Sequence, residues 1–236
     1  MKIKVILFDL DGTLLPLNQE TFVKTYFGLL AKKLSNYGYV PEKLIESIWI
    51  GTKAMVSNIG TKTNEEVFWD KMSEIYGEDV RNDIDKFDEF YRQDFDKVRI
   101  SCDFNELVPN VIKEIKQMGF KLALATNPIF PKIATEKRIN WAGLNPNDFE
   151  LFTTYENSYH SKPNIEYYLD IIKKLKVKPE ECLMVGNDVN EDMIANTIGI
   201  KVFLLTDCLI NKDNNDISSL PQGNFNDLIN YVKKLN

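Results

Sequence analysis

The sequence predicts an α/β protein: a parallel sheet with helices on both faces, and an α-helical domain inserted after the first strand. Two features of the pattern lead there. Short, nearly continuous apolar runs alternate with helical periodicities, and the long interval after the first run holds helical periodicities alone. Continuous apolar runs suit parallel strands, because helices cover both of their faces. Strand–helix alternation then calls for right-handed crossovers within one sheet.

Residues 4–8 form the first strand candidate. The chain starts basic and turns apolar, but the apolar stretch is too short for a signal peptide and acids follow at once, so it reads as a buried strand. From about Asn18 to Arg99 the pattern is helical. Phe22, Tyr26, Leu29, Leu30 and Leu34 mark one face, ended near Gly38, and Leu44, Ile45, Ile48 and Trp49 mark a second. Thr63 and Glu66 form a capping-box pair ahead of Val67, Phe68, Met72 and Ile75. Val80, Ile84, Phe87, Tyr91 and Phe95 mark a fourth helix. These four predict a helical cap domain over residues 17–99, set on a Rossmann-like core of residues 1–16 and 100–236. Trp49, Phe68, Trp69 and Phe87 read as the cap's own packing. A helix follows through Leu107, Val108, Val111, Ile112, Ile115 and Met118, stopped by Gly119. Further strands are expected at residues 121–125, 150–153, 182–185 and 201–205, with a helix through Ile165, Tyr168, Leu169, Ile172 and Leu175. Residues 211–224, rich in Asn, Asp and Ser, read as a loop before a last helix.

Composition narrows the function. The 236 residues carry a net charge of −6, with 44% hydrophobic and 27% charged residues. A packed core is expected. An acidic surface offers no counter-charge to nucleic acid or an anionic membrane, so neither is expected as a partner. No apolar run approaches the roughly 20 residues that span a bilayer. The three cysteines are odd in number and widely spaced, which reads as reduced thiols in a cytoplasmic protein. One histidine excludes multi-histidine zinc sites.

Open α/β sheets bind ligands at the carboxyl ends of their strands. Asp9 and Asp11 follow the first strand candidate, and Thr126 and Asn127 the second. Ser161 and Lys162 lie past the third, and Gly186, Asn187, Asp188 and Asp192 follow the fourth. Four strand ends thus bring carboxylates, a hydroxyl and an ammonium to one rim.

This set resembles the haloacid-dehalogenase-like superfamily, whose members are mostly phosphatases. Asp9-Leu10-Asp11-Gly12-Thr13 after an apolar strand matches its first motif. Thr126 and Lys162 match the second and third, and residues 186–192 match the acidic fourth. In many relatives an aspartate directly follows that glycine, whereas Asn187 stands here. The resemblance implies that Asp9 is a nucleophile forming an aspartyl-phosphate. Asp11 is the general acid, then the base for water. Thr126 and Lys162 bind the phosphoryl group, with backbone N–H groups near Leu10 and Asn127. It also implies a Mg²⁺ held by Asp9, the Asp11 carbonyl and Asp188. The amide oxygen of Asn187 is the alternative, although a hard cation favours carboxylate. Asp192 positions Lys162 or a metal-bound water, or is simply a helix N-terminal acid. His160 has no place in the pattern and reads as a loop or hydrogen-bonding residue.

The implied activity is Mg²⁺-dependent hydrolysis of a small phosphorylated metabolite. Carbon–halogen cleavage needs no acid at Asp11, so the pair favours phosphoryl transfer. A phosphomutase needs the same residues. A phosphonate hydrolase needs a cap lysine, for which Lys24, Lys32, Lys33, Lys53 and Lys62 are candidates. A phosphate-binding protein without turnover is the non-enzymatic alternative. Residues 50–63, with Gly51, Lys53, Asn58, Gly60 and Lys62, are the expected substrate-contacting loop, with an ordinary connector as the other reading. Oligomeric state is not encoded in any motif.

Overall fold

The computed structural model describes residues 2–235. Six strands form one parallel sheet in the order β3-β2-β1-β4-β5-β6. They are β1 (Val5–Phe8), β2 (Lys121–Leu124), β3 (Leu151–Phe152), β4 (Cys182–Gly186), β5 (Lys201–Leu205) and β6 (Gln222–Gly223). Helices α1 (Gln19–Ser35), α2 (Pro41–Val56), α3 (Asn64–Tyr76) and α4 (Ile84–Gln93) fall between β1 and β2, ahead of α5 (Leu107–Gln117). Helices α6 (Lys132–Trp141), α7 (Ile165–Leu175) and α8 (Phe225–Leu235) complete the order. This is the expected Rossmann-like α/β fold.

Alternation along each strand divides the core in two. Ile6, Phe8, Leu122, Leu124, Leu183 and Val185 point to one face and pack with α5 and α8, through residues such as Ile112 and Leu228. Leu7, Ala123, Met184 and Leu204 point to the other and meet Tyr168 and Ile172 of α7. The first cluster runs on without a break into the inserted helices, taking in Leu30, Ile48, Met72 and Phe90.

The N-terminus of α3 is where the inserted helices meet the sheet's loops. Thr63 and Glu66 form the expected capping box. The next residue, Asn64, is fully buried and spans the junction. Its Nδ2 donates to Pro128 O and Ser161 Oγ, both at 3.0 Å, and its Oδ1 accepts from Asn58 Nδ2 at 2.8 Å.

Two elements depart from expectation. β6 lies inside the stretch read as loop and pairs with Leu204 and Leu205. Two residues, one of them glycine, carry no β-pattern, so only a partner strand reveals it. Helix α6 has no clear helical pattern in the sequence either, and it supplies a residue of the site.

Candidate active site

Strand register decides which residues meet. Phe8 stands level with Leu124 on β2 and with Val185 on β4. The three strands therefore end together and deliver Asp9, Thr126, Asn127, Asn187 and Asp188 to one edge. Main-chain bonds carry the alignment one step further, from Asp9 N to Val185 O (2.9 Å) and from Ala125 N to Phe8 O (2.7 Å). The strand order reverses here, where such sheets open a crevice.

The Asp9–Thr13 segment is a tight turn in which Thr13 N and Leu15 N donate to Leu10 O at 3.2 and 2.8 Å. The Leu10 side chain is fully buried and anchors the turn in the core. Gly12 has φ +84°, and a Cβ there would lie 2.4 Å from Asn187 Nδ2. Glycine alone suits both the backbone and the space.

Lys162 enters from the segment after β3 and is almost completely buried. Its Nζ donates to Asp9 Oδ1 at 2.8 Å and to Asp192 Oδ1 at 2.6 Å. Burial opposes its charge, but the carboxylates of Asp192 and Asp9 prevail and hold it well above the ordinary lysine value. Asp192 is equally buried, and its Oδ2 accepts from Asp188 N at 3.0 Å. A Cβ on Gly186 would come within 2.1 Å of Asp192 Oδ2, so that glycine makes room for the pair.

Asp11 has a partner that no motif announces. Arg138 of α6, fully buried 127 residues along the chain, donates to Asp11 Oδ2. Its guanidinium carbon lies 4.4 Å from the centre of the Phe130 ring. Asp11 Oδ1 is inaccessible and has no hydrogen-bond partner among the described residues. Burial lifts the Asp11 carboxyl above its ordinary range; the Arg138 guanidinium works against this and the Asp9 charge works with it.

Thr13 is a second residue without prior assignment. Its hydroxyl lies 3.0 Å from Asp9 Oδ2 and 2.9 Å from Asn187 Oδ1. One proton serves one acceptor at a time, so the hydroxyl can release Asp9 and keep a bond. Asn187 also donates from Nδ2 to Cys208 O at 2.7 Å. Asp188 Oδ1 accepts from the main-chain N–H groups of Asn190 (2.8 Å) and Glu191 (2.9 Å). Asn127 Nδ2 donates to Glu191 Oε2 at 3.1 Å, and burial pushes the Glu191 carboxyl up to about 7. The Thr126 carbonyl is held by the hydroxyls of Thr153 (2.6 Å) and Tyr167 (2.8 Å).

Among the described residues, no three His, Cys, Asp or Glu side chains form a ready metal cluster. The carboxylates of Asp9 and Asp188 and the amide of Asn187 do line one cavity. Oxygen donors suit a hard cation such as Mg²⁺. The alternative bond open to Thr13 would let Asp9 Oδ2 turn to it. The residues present therefore fit such an ion.

The cavity, about 580 Å³, opens from Asp9 and Asp11 toward the inserted helices. Of the expected contact segment, residues 50–63, Thr52 alone lines it. Residues 50–56 belong to α2, and Thr52 lines the cavity whereas Gly51, Lys53, Asn58, Gly60 and Lys62 do not. Asn58 is drawn to Asn64, Lys62 to Asp70 at 2.6 Å, and Gly60 packs against His160. None of the five candidate cap lysines lines the cavity. His160 lies outside it too and bonds Asp170 at 2.8 Å.

A family profile described as haloacid dehalogenase-like hydrolase matches residues 3–196. Among curated proteins, pyrophosphatase PpaX of Bacillus mycoides (strain KBAB4) is 26% identical over 201 residues, 85% of this chain and 82% of that one. Among solved structures, an HAD phosphatase from Thermococcus onnurineus superposes with a TM-score of 0.58 at 18% identity over 98% of both chains. A predicted phosphoglycolate phosphatase from Haemophilus somnus 129pt gives 0.57 at 20% identity, again over 98% of both. The putative HAD-hydrolase YfnB of Bacillus subtilis, bound to magnesium, gives 0.56 at 17% over 98% of this chain and 99% of that one. At these identities the structures speak for the fold.

Proposed function

The chain belongs to the haloacid dehalogenase-like hydrolases, and we propose that it is a phosphatase that hydrolyses a small phosphorylated metabolite through an aspartyl-phosphate on Asp9. One observation carries the proposal. Asp9, fixed by Lys162 at 2.8 Å, and Asp11, held by Arg138, line one cavity.

In this reading an Asp9 carboxylate oxygen bonds to phosphorus while the bond from phosphorus to the alcohol oxygen breaks. Asp11 gives its proton to the departing oxygen. Its raised proton affinity suits that step, and Arg138 keeps the carboxyl aimed. Asp11, now ionised, then takes a proton from water as the water oxygen attacks phosphorus. Phosphate leaves and Asp9 is restored. Lys162 and the Thr126 hydroxyl stabilise the phosphoryl oxygens, with the backbone N–H groups of Leu10 and Asn127. Asp192 positions Lys162. Asp9, Asp188 and the Asp11 carbonyl would hold Mg²⁺, with Asn187 as the alternative donor. Once bound, Mg²⁺ offsets the repulsion between carboxylate and phosphate.

Residues 17–99 are read as the cap that closes over the site and excludes water, with residues 1–16 and 100–236 as the core. The element order supports that division, because helices α1–α4 and no strand fall between β1 and β2. The lysine-free wall of the cavity favours ester hydrolysis over a phosphonate route through a cap Schiff base. The curated relatives are named as pyrophosphatases, which makes pyrophosphate a substrate to include in any screen.

Purified protein is expected to release phosphate from a panel of phosphate monoesters with Mg²⁺ and to stop when EDTA is added. Asp9→Asn should lower the rate by at least about a thousandfold. Asp11→Asn should lower it by about a hundredfold or more, by blocking protonation of the leaving oxygen. No release from any ester would remove the enzymatic reading in favour of phosphate binding.

A further inference from the structure

Beyond the phosphoryl site, the cavity is walled by aromatic rings from the inserted helices, among them Phe27 and Trp49, Phe68 and Trp69, Phe87 and Tyr91. Among the described residues, its lining holds no lysine, arginine or histidine. The nearby cations are already engaged, Lys162 with Asp9 and Asp192, and Arg138 with Asp11. The charges that do line the wall away from the strand ends, Glu20 and Asp88, are negative. Asp88 has a counter-charge, Arg92, at 3.9 Å.

A substrate with a second anionic group would find no partner in such a chamber and would meet carboxylates instead. A flat or cyclic apolar body finds the opposite, a volume in the usual range of small-molecule sites with aromatic walls. Trp49, half-exposed and packed on Phe27 with ring centroids 5.3 Å apart, lines the same cavity.

We infer that the substrate is the phosphate monoester of an uncharged apolar alcohol of ring size, with its phosphoryl group at Asp9 and its ring among the aromatics of α1–α4. This deepens the phosphatase reading and rests on it for the chemistry. The binding half stands on the cavity alone.

The test compares kcat/KM, with Mg²⁺, for benzyl and cyclohexylmethyl phosphate against ethyl phosphate, phosphoglycolate, pyrophosphate and phosphocholine. p-Nitrophenyl phosphate is unsuitable, because its activated leaving group masks binding preferences. Burying a ring should favour the two cyclic esters over ethyl phosphate by about tenfold or more, mostly through KM. Trp49→Ala, at a half-exposed position, should narrow that ratio at least about fivefold. Saturable quenching of tryptophan fluorescence by benzylphosphonate, whose P–C bond survives, reads binding without turnover. Phosphonoacetate, with its second anion, should not produce it.

If pyrophosphate, phosphoglycolate or phosphocholine is the better substrate, the pocket assignment falls and the phosphatase reading stands. If benzylphosphonate saturates but no ester is hydrolysed, the pocket assignment stands and the phosphatase reading falls. If the cyclic esters show no advantage over ethyl phosphate, or if Trp49→Ala leaves the ratio unchanged, the assignment is overturned.

Discussion

Asn187 and Asp188 occupy adjacent positions with different engagements. Asn187 spans Thr13 and Cys208, whereas Asp188 caps its own turn through Oδ1 and faces the cavity. A hard cation selects carboxylate over amide oxygen. Asp188→Ala is therefore expected to raise the Mg²⁺ concentration needed for half-maximal activity at least about tenfold, and Asn187→Ala to raise it less. The reverse order in a Mg²⁺ titration would transfer the role to Asn187. Glu191 carries the pH prediction. Burial raises its pKa to about 7 in the folded protein, above its ordinary value near 4.5. The folded state then binds the extra proton, so this residue favours folding at low pH and loses that contribution as pH rises through about 7. Glu191→Gln should accordingly raise the melting temperature of the Mg²⁺-free protein at pH 8, and most of the gain should vanish by pH 5. A gain that grows toward acid pH in thermal melts would contradict the assignment.

At the scale of elements, helix α3 joins the inserted helices to the sheet's loops. Its capping box is local and legible, since Thr63 and Glu66 are three residues apart. Asn64 is read in no pattern, yet its side chain bonds Asn58, Pro128 and Ser161. Asn64→Ala leaves several buried groups without partners and should destabilise the protein by about 2 kcal/mol or more. Thr63→Ala removes one exposed cap and should cost about 1 kcal/mol. Urea unfolding of the two variants tests the order. Helix α6 makes the same point about legibility. Its pattern is weak, and Arg138 points at Asp11 only because the helix packs where the fold places it. A lone arginine 127 residues from a carboxylate carries no signal of that pairing.

For the whole molecule, the net charge of −6 would have to be reversed at the proposed phosphoryl site, and Lys162 is the buried cation that bonds Asp9 there. Gathering Asp9, Asp11, Asp188, Glu191 and Asp192 around one opening concentrates negative charge, which a divalent cation would relieve. Mg²⁺ at about a hundred times its dissociation constant should stabilise the fold by about 2.7 kcal/mol. For a chain of this size that is a rise in melting temperature of about 5–10 °C. Calorimetry with and without Mg²⁺ checks it, and Asp188→Ala should lose most of the rise. Among the described residues no helix is long and apolar enough to cross a membrane, in line with the absence of any long apolar run in the sequence.

The α/β class, five of the six strands, the inserted helices and the set of polar residues at the strand ends are legible in the chain alone. Those features are local: periodicity reports burial, and a strand followed by an Asp-x-Asp turn places its carboxylates without reference to distant residues. How the residues pair was left to the three-dimensional packing. It joined Lys162 to Asp9 and Asp192, Arg138 to Asp11, and Thr13 to Asn187. It paired β6 with β5, and it turned rings that read as helix packing into the wall of a cavity without cations. Such pairings depend on strand register and helix docking, which bring together atoms distant along the chain, from Leu204 and Gln222 to Thr13 and Asn187, and leave no periodic trace in it.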